Sequence, residues 1–327
     1  MVANEGAAVA GAGVDDRGWS GTRAWVEGRV GGGQRIDAVE RLRGGWTSEM
    51  RRLRVSGTGE PRWLVLRSFV KPFFVRHAEG LLTRESDILR LLSGTDIPVA
   101  SFHGVDATAV YCDHPSLLMS LLPGGVRLAE EEAGLRTELL ARQLVAIHQV
   151  RVPAGARPRA YQAWTSPDRV RLPESTERPD LWQRAVDIIR RDPPRYRPCF
   201  LHRDFHPGNV LFTGQGARTE ITGVVDWVET SWGPSDLDVA HCSTALALLH
   251  GPQEGMRLAD HYLASGGTLS MDPAAHLYWR VLDALAFAPD AEKVGIPWRE
   301  LGRDDLTSAL LTSRLEDYLE ELLRRFG

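Results

Sequence analysis

One stretch restricts the fold more than any other: Phe200-Leu201-His202-Arg203-Asp204-Phe205-His206-Pro207-Gly208-Asn209-Val210-Leu211-Phe212, followed by Ile221-Thr222-Gly223-Val224-Val225-Asp226-Trp227. Residues 210–212 and 221–225 are β-branched or apolar, and 213–220 between them is polar and Gly-bearing, so the pattern predicts two short strands and a hairpin turn. In an antiparallel hairpin the start of the first strand lies beside the end of the second. Asn209 and Asp226 are therefore expected together at the open end, with Asp204 presented by the loop just before. Two carboxylates and an amide oxygen on one small volume suit a hard cation such as Mg²⁺. A carboxylate left off the metal can orient a hydroxyl and accept its proton, the equipment of phosphoryl transfer. His202 reads as a core histidine that braces the loop by hydrogen bonds.

The first third of the chain supplies a matching demand. Short apolar runs over 35–70 predict a sheet, most clearly Trp63-Leu64-Val65-Leu66. From 78 to 92 the period becomes helical, with Leu81, Ile88 and Leu92 on one stripe and Gly94 as the stop. Glu85 falls on that stripe, and a carboxylate on a buried helix face needs a cation. Arg67, at the end of the Trp63–Leu66 run, answers it. Lys71 is the competitor, since 67, 69 and 71 share one face of an extended strand, but Pro72 places Lys71 at a strand end. Gly44-Gly45-Trp46-Thr47-Ser48 has the composition of a phosphate-covering turn.

Residues 116–122 read as a buried strand ended by Pro123-Gly124-Gly125, where a hinge is expected, and 130–150 as a long helix with acids in its first turn. Between 151 and 198, eight prolines and eleven arginines against six acids predict short helices joined by stiff loops, a solvated surface or the lining of a cleft. From Asp236 onward the pattern is mainly helical, with an apolar run at 239–250 and an amphipathic close at 306–326. Asp238 reads as a cap before that apolar helix. A length of 327 residues fits two domains.

Composition excludes several classes. Thirty-nine basic against 43 acidic side chains is too even a balance for a protein that grips a phosphate backbone, so no nucleic-acid partner is expected. Three scattered cysteines make neither a disulfide framework nor a zinc knuckle and point to the reducing cytoplasm. Residues 1–18 read as a frayed terminus rather than a signal peptide. No apolar run is long enough for a membrane helix.

The spacing His202-Arg203-Asp204 to Asn209 is that of the kinase catalytic loop. With Leu42-Arg43-Gly44-Gly45, Leu64-Val65-Leu66-Arg67, Arg84-Glu85, Leu118-Met119, Pro123-Gly124, Ala146-Ile147-His148, Val225-Asp226-Trp227, Gly233-Pro234 and Asp238-Val239-Ala240, the chain resembles the aminoglycoside phosphotransferase family over about residues 35–250. The resemblance implies an α+β, protein-kinase-like fold of two lobes: an antiparallel-sheet N-lobe at 19–122 and a mainly helical C-lobe at 123–327, with nucleotide between them. By position it implies Asp204 as catalytic base, Asn209 and Asp226 as Mg²⁺ ligands, Arg67 with Glu85 as the phosphate-binding pair, and a structural role for Asp238. Gly44, Gly45 and Ser48 would cover the phosphates of ATP or GTP, and the backbone near Ser120 and Leu122 would meet the purine edge.

Departures narrow the class. A protein kinase would carry Lys where His206 stands, D-F-G where Asp226-Trp227-Val228 stands, and A-P-E further on, which is missing here. A small-molecule acceptor with a hydroxyl is favoured: an aminoglycoside, nucleoside or macrolide antibiotic or a related natural product, phosphorylated by a monomer or homodimer. Family members often have Gly in place of Arg203 and Lys in place of Arg67. Acceptor contacts are expected from Asp283, Trp298, Tyr278 or Trp279 in a C-terminal region of 13 acids and 8 basic residues from Gly251 onward. Two other readings remain. His202, Asp204, His206 and Asp226 could serve a metal-dependent hydrolase, or the chain could be a kinase-shaped binding protein without turnover.

Overall fold

The computed structural model describes residues 19–42 and 47–327, so the expected frayed terminus and the turn residues Gly44 and Gly45 lie outside the described residues. The chain falls into two compact units, one running to Gly125 and including 225–228, the other comprising 126–224 and 229–327. Asp226 thus belongs with the first unit although its hairpin belongs with the second.

The first unit contains helix α1 (Ser20–Val30), strands β1 (Arg35–Leu42), β2 (Glu49–Ser56) and β3 (Arg62–Ser68), helix α2 (Pro72–Leu92), and strands β4 (Phe102–Asp106) and β5 (Ser116–Ser120). The strands form one antiparallel sheet ordered β1-β2-β3-β5-β4. β3 is central, which is why its apolar run continues through Leu64, Val65 and Leu66 without alternation: both faces are covered. The next residues, Arg67 and Ser68, are buried as well. On one side, Ile36, Leu53, Val55, Leu64, Leu66 and Leu118 pack with Trp19, Trp25 and Val26.

Helix α2 begins six residues earlier than its apolar period suggests. Lys71 is the N-cap and Pro72, with its preset φ, opens the first turn, while Phe73 and Val75 in that turn are exposed and so break the stripe. The buried face is Ala78, Leu82, Glu85, Ile88, Leu89 and Leu92. Leu82 rather than Leu81 takes the core position. The helix stops at Ser93, itself right-handed, without using Gly94 as a left-handed cap. Helix α1 and strand β4 carried too few apolar residues to be read from the sequence.

The second unit contains helices α3 (Ala133–His148) and α4 (Pro179–Ile189), strands β6 (Pro198–Leu201), β7 (Val210–Thr213), β8 (Glu220–Val224) and β9 (Ser231–Pro234), and helices α5 (Ser235–His250), α6 (Pro252–Ala264), α7 (Pro273–Leu285), α8 (Glu292–Glu300) and α9 (Ser308–Phe326). Helix α5 is buried on all sides, and α6, α7 and α9 pack against it. The β7–β8 hairpin forms with Val210 opposite Val224 and one bulge at Leu211/Phe212; β6 pairs with β9. The acids expected in the first turn of α3 lie ahead of it. Glu132 is a left-handed N-cap whose carboxylate accepts the Gly216 N–H at 2.9 Å. The Arg/Pro-rich segment is irregular apart from α4 and two short turns. The three cysteines are free, and no helix of the described residues is long and apolar enough to cross a membrane.

Candidate active site

In the second unit the loop between β6 and β7 is held by one buried carboxylate. Asp238, in the first turn of α5, accepts the backbone N–H groups of His202 and Arg203 at 2.8 Å each, and His148 Nε2 lies 3.3 Å from it. Burial alone would raise the Asp238 pKa, but His148, Arg203 and His202 hold it below the usual range. Asp238 is therefore structural, a strut for the loop, while the N-cap position itself falls on Pro234. Arg203 sits at φ +74, a conformation that costs a non-Gly residue free energy. Its guanidinium lies 4.4 Å over the Trp164 ring and donates to Gln162 O at 3.3 Å, contacts that offset the strain.

Asp204 follows, oriented from several sides. Its N–H donates to His202 Nδ1 at 3.2 Å, so His202 braces the loop. Asn209 Nδ2 donates to Asp204 O at 2.9 Å and to Oδ2 at 3.0 Å. His241 Nε2 lies 3.3 Å from Asp204 Oδ1 and His206 Nε2 3.9 Å. Burial would lift the Asp204 pKa, but the hydrogen bond from His241, with the His206 and His202 rings beside it, holds it far below the usual carboxylate range. Asp204 is a fixed carboxylate.

His241 did not emerge from the sequence. It lies in α5 inside the apolar run, with Nδ1 3.2 Å from Asp283 Oδ1 on α7, between the stacked ring of Phe287 and the edge of Trp164. Both ring nitrogens face carboxylates, which only accept, so both must donate. Burial disfavours that charge, but Asp283 and Asp204 overcome it and push the His241 pKa up to about 9. A lone histidine in an apolar helix was the available signal, since a buried polar group needs a partner. Asp283, expected as an acceptor contact, is 3% exposed and backs His241 instead. Trp298, Tyr278 and Trp279 are likewise sealed into the helical core and offer no surface to an acceptor.

The ligand atoms of Asp204, His206 and His241 lie within 4.8 Å of one another. Nevertheless His202 and His206 each accept a backbone N–H on Nδ1, from Asp204 and from Gly208, so each carries its proton on Nε2. Neither Nε2 has a lone pair for a metal, and the hydrolase reading loses its imidazole ligands.

The first unit holds the other constellation. Arg67 Nη1 donates to Glu85 at 2.9 and 3.0 Å and to Asp226 Oδ1 at 3.1 Å, while Nη2 reaches Thr47 Oγ1 at 3.2 Å. Burial opposes the charge on Arg67, but Asp226 and Glu85 outweigh it and hold the guanidinium well above its ordinary pKa. Arg67 Nε is buried and has no partner among the described residues. Asp226 adopts φ +63, a left-handed conformation that Asp tolerates better than most residues. Lys71 caps α2 instead of facing Glu85. Ser48 is buried and turns its hydroxyl to Met50 Sδ at 3.6 Å. Ser120 commits its amide and hydroxyl to Ser101, at 2.9 and 2.8 Å, while Leu122 lies just past the end of β5 and is half-buried.

The sequence matches the family model described as the phosphotransferase enzyme family, APH, over residues 38–280. No curated protein matches it. Among solved structures it is similar to a candidate aminoglycoside phosphotransferase from Ralstonia eutropha JMP134, at 17% identity and a TM-score of 0.60, with 94% of this chain and 98% of that chain covered. The GDP and kanamycin complex of APH(2")-IIia aligns at 17% identity and a TM-score of 0.57, covering 89% and 95%. A spectinomycin phosphotransferase in complex with ADP and spectinomycin aligns at 16% identity and a TM-score of 0.54, covering 94% and 98%. At these identities the likeness is one of fold: an antiparallel sheet followed by a helical body.

Proposed function

Because the chain belongs to the phosphotransferase enzyme family and is a small-molecule phosphotransferase, we propose that it moves the γ-phosphoryl group of ATP or GTP to a hydroxyl of a natural product, with Asp204 as the base. The observation that carries this reading is the Asp204 carboxylate, ionised and held on one oxygen by Asn209 and on the other by His241. A base fixed in this way takes the hydroxyl proton as the acceptor oxygen bonds to the γ-phosphorus. The bond from that phosphorus to the β–γ bridging oxygen breaks, and the nucleoside diphosphate leaves with the electron pair.

Arg67 would serve the phosphates. Its charge is secured by Glu85 and Asp226, and its Nε–H has no acceptor among the described residues. Glu85 orients it. Asn209 and Asp226 would hold Mg²⁺: the Asn209 amide donates through Nδ2 to Asp204, leaving its carbonyl oxygen for a hard cation, and Asp226 adds a carboxylate. Such a cation, when bound, neutralises charge on the transferring phosphoryl group. The neighbours' ADP and GDP support a purine nucleotide of either base.

For the acceptor, Lys293 Nζ lies 4.1 Å over Phe287 and 5.6 Å over Trp164, the two rings that flank His241. A cation near the base favours a hydroxylated acceptor of low positive charge, of macrolide or nucleoside type, over a polycation. The test is a panel of kanamycin, spectinomycin, a macrolide and a nucleoside antibiotic with MgATP or MgGTP and labelled γ-phosphate. One member should be labelled, and Asp204→Asn should abolish that transfer while ADP affinity stays within about twofold. Undiminished transfer by Asp204→Asn would overturn the assignment.

A further inference from the structure

Asp204, His241 and Asp283 come from three elements distant in sequence: the loop before β7, the middle of α5 and the end of α7. Side-chain atoms make contacts of 3.3 and 3.2 Å through the one imidazole ring, and His241 and Asp283 are 3% exposed. The ring cannot tip, because Phe287 stacks on it at 5.5 Å with planes 27° apart and Trp164 meets it edge-on at 4.9 Å. The groups facing it are Asp204 and His206 from the loop and Asp283 from α7, with Lys293 beyond Phe287.

We propose that His241 is a positioning residue for phosphoryl transfer: an imidazolium that donates one N–H to Asp204 and the other to Asp283, fixing the plane of the Asp204 carboxylate. The inference rests on Asp204 being the base. Asn209 reaches Oδ2 and His241 reaches Oδ1, so rotation about the Cβ–Cγ bond would break both contacts. The carboxylate then presents one orientation to an incoming hydroxyl, which is what a near-attack geometry requires. Asp283 has no contact with Asp204 of its own. It holds the ring and balances its charge. Carboxylate, imidazolium and carboxylate repeat the logic by which a second group sets the orientation and protonation of a first.

The test has a spectroscopic arm and a kinetic arm. In protein labelled with ¹⁵N-histidine, the His241 ring, assigned by its loss in His241→Gln, should show both nitrogens protonated near neutral pH, and Asp283→Asn should return it to a neutral tautomer. In transfer from MgATP or MgGTP to the panel acceptor that is labelled, His241→Leu should lower kcat roughly 10- to 100-fold with nucleotide KM within about twofold, and His241→Gln, which keeps one donor toward Asp204, should recover much of the loss. Hydrolysis of MgATP to water serves the same comparison if no acceptor is labelled. A neutral His241 ring in the wild-type protein, or equal losses in the Gln and Leu variants with a matching drop in melting temperature, would overturn the proposal. If His241→Leu does not fold, the Gln and Asp283→Asn variants decide alone. Full turnover in Asp204→Asn would instead remove the reading of Asp204 as base while leaving the His241 signals as they are.

Discussion

Arg67 on β3 and Glu85 on α2 face each other across 2.9 Å with side chains 5% and 2% exposed, each supplying the partner that the other's burial calls for. An unpaired charge in that position would cost more than the sheet-to-helix packing around it returns. Arg67 is held by three partners at once, Glu85, Asp226 and Thr47, and this sharing distinguishes an arginine from a lysine, which would bring a single ammonium to the same place.

Arg67→Ala should lower stability by about 3–5 kcal/mol, because it strands the Glu85 carboxylate. Adding Glu85→Leu to that variant should restore part of the loss. Urea unfolding of the single and double variants checks both statements, and equal stability of the two would show that Glu85 does not depend on Arg67.

Asp238→Ala should destabilise the second unit by about 3 kcal/mol or more, since two backbone N–H groups and His148 lose a buried acceptor together. Turnover should fall further than stability predicts, because the peptides of His202 and Arg203 carry Asp204. Thermal melts alongside initial rates measured well below the melting temperature separate the two effects.

Stability should also fall with alkaline pH in a way that reports on His241. Its folded-state pKa, pushed to about 9, lies above that of the unfolded chain near 6.5, so the native state binds the extra proton between those values. The resulting stabilisation, on the order of 3 kcal/mol, is fully present below about pH 6.5 and lost as pH rises through about 9. Unfolding free energies on either side of that window should differ in the wild-type protein and differ much less in His241→Gln.

Chelation should abolish transfer, and Mg²⁺ or Mn²⁺ should restore it where Zn²⁺ does not, because the donors assigned to the cation are oxygens. Asn209→Ala should raise the Mg²⁺ concentration for half-maximal rate about tenfold or more while leaving the fold intact. A titration of rate against free Mg²⁺ is the measurement.

Much of this could be read from local pattern. The β7–β8 hairpin announced itself through two apolar runs and a Gly-bearing turn, and its register needed no distant information. Glu85 could be paired with Arg67 because a carboxylate on an apolar helical stripe demands a cation and the strand just before supplied one. Helix α1, strand β4 and the first turn of α2 escaped, because their apolar residues are few or exposed and periodicity then carries no signal.

The role of Asp238, the partnership of His241 with Asp204 and Asp283, and the burial of Trp298 could not be reached in that way. They depend on how α5, α7 and α8 pack, and that packing is settled by side chains scattered over a hundred residues. Sequence by itself determined the strongly patterned strands and helices and the residue types of the catalytic loop, and so which chemistry the chain is equipped for. Tertiary structure alone decided which of those groups meet, because burial of an unpaired polar atom is costly and only the folded core shows where its partner waits.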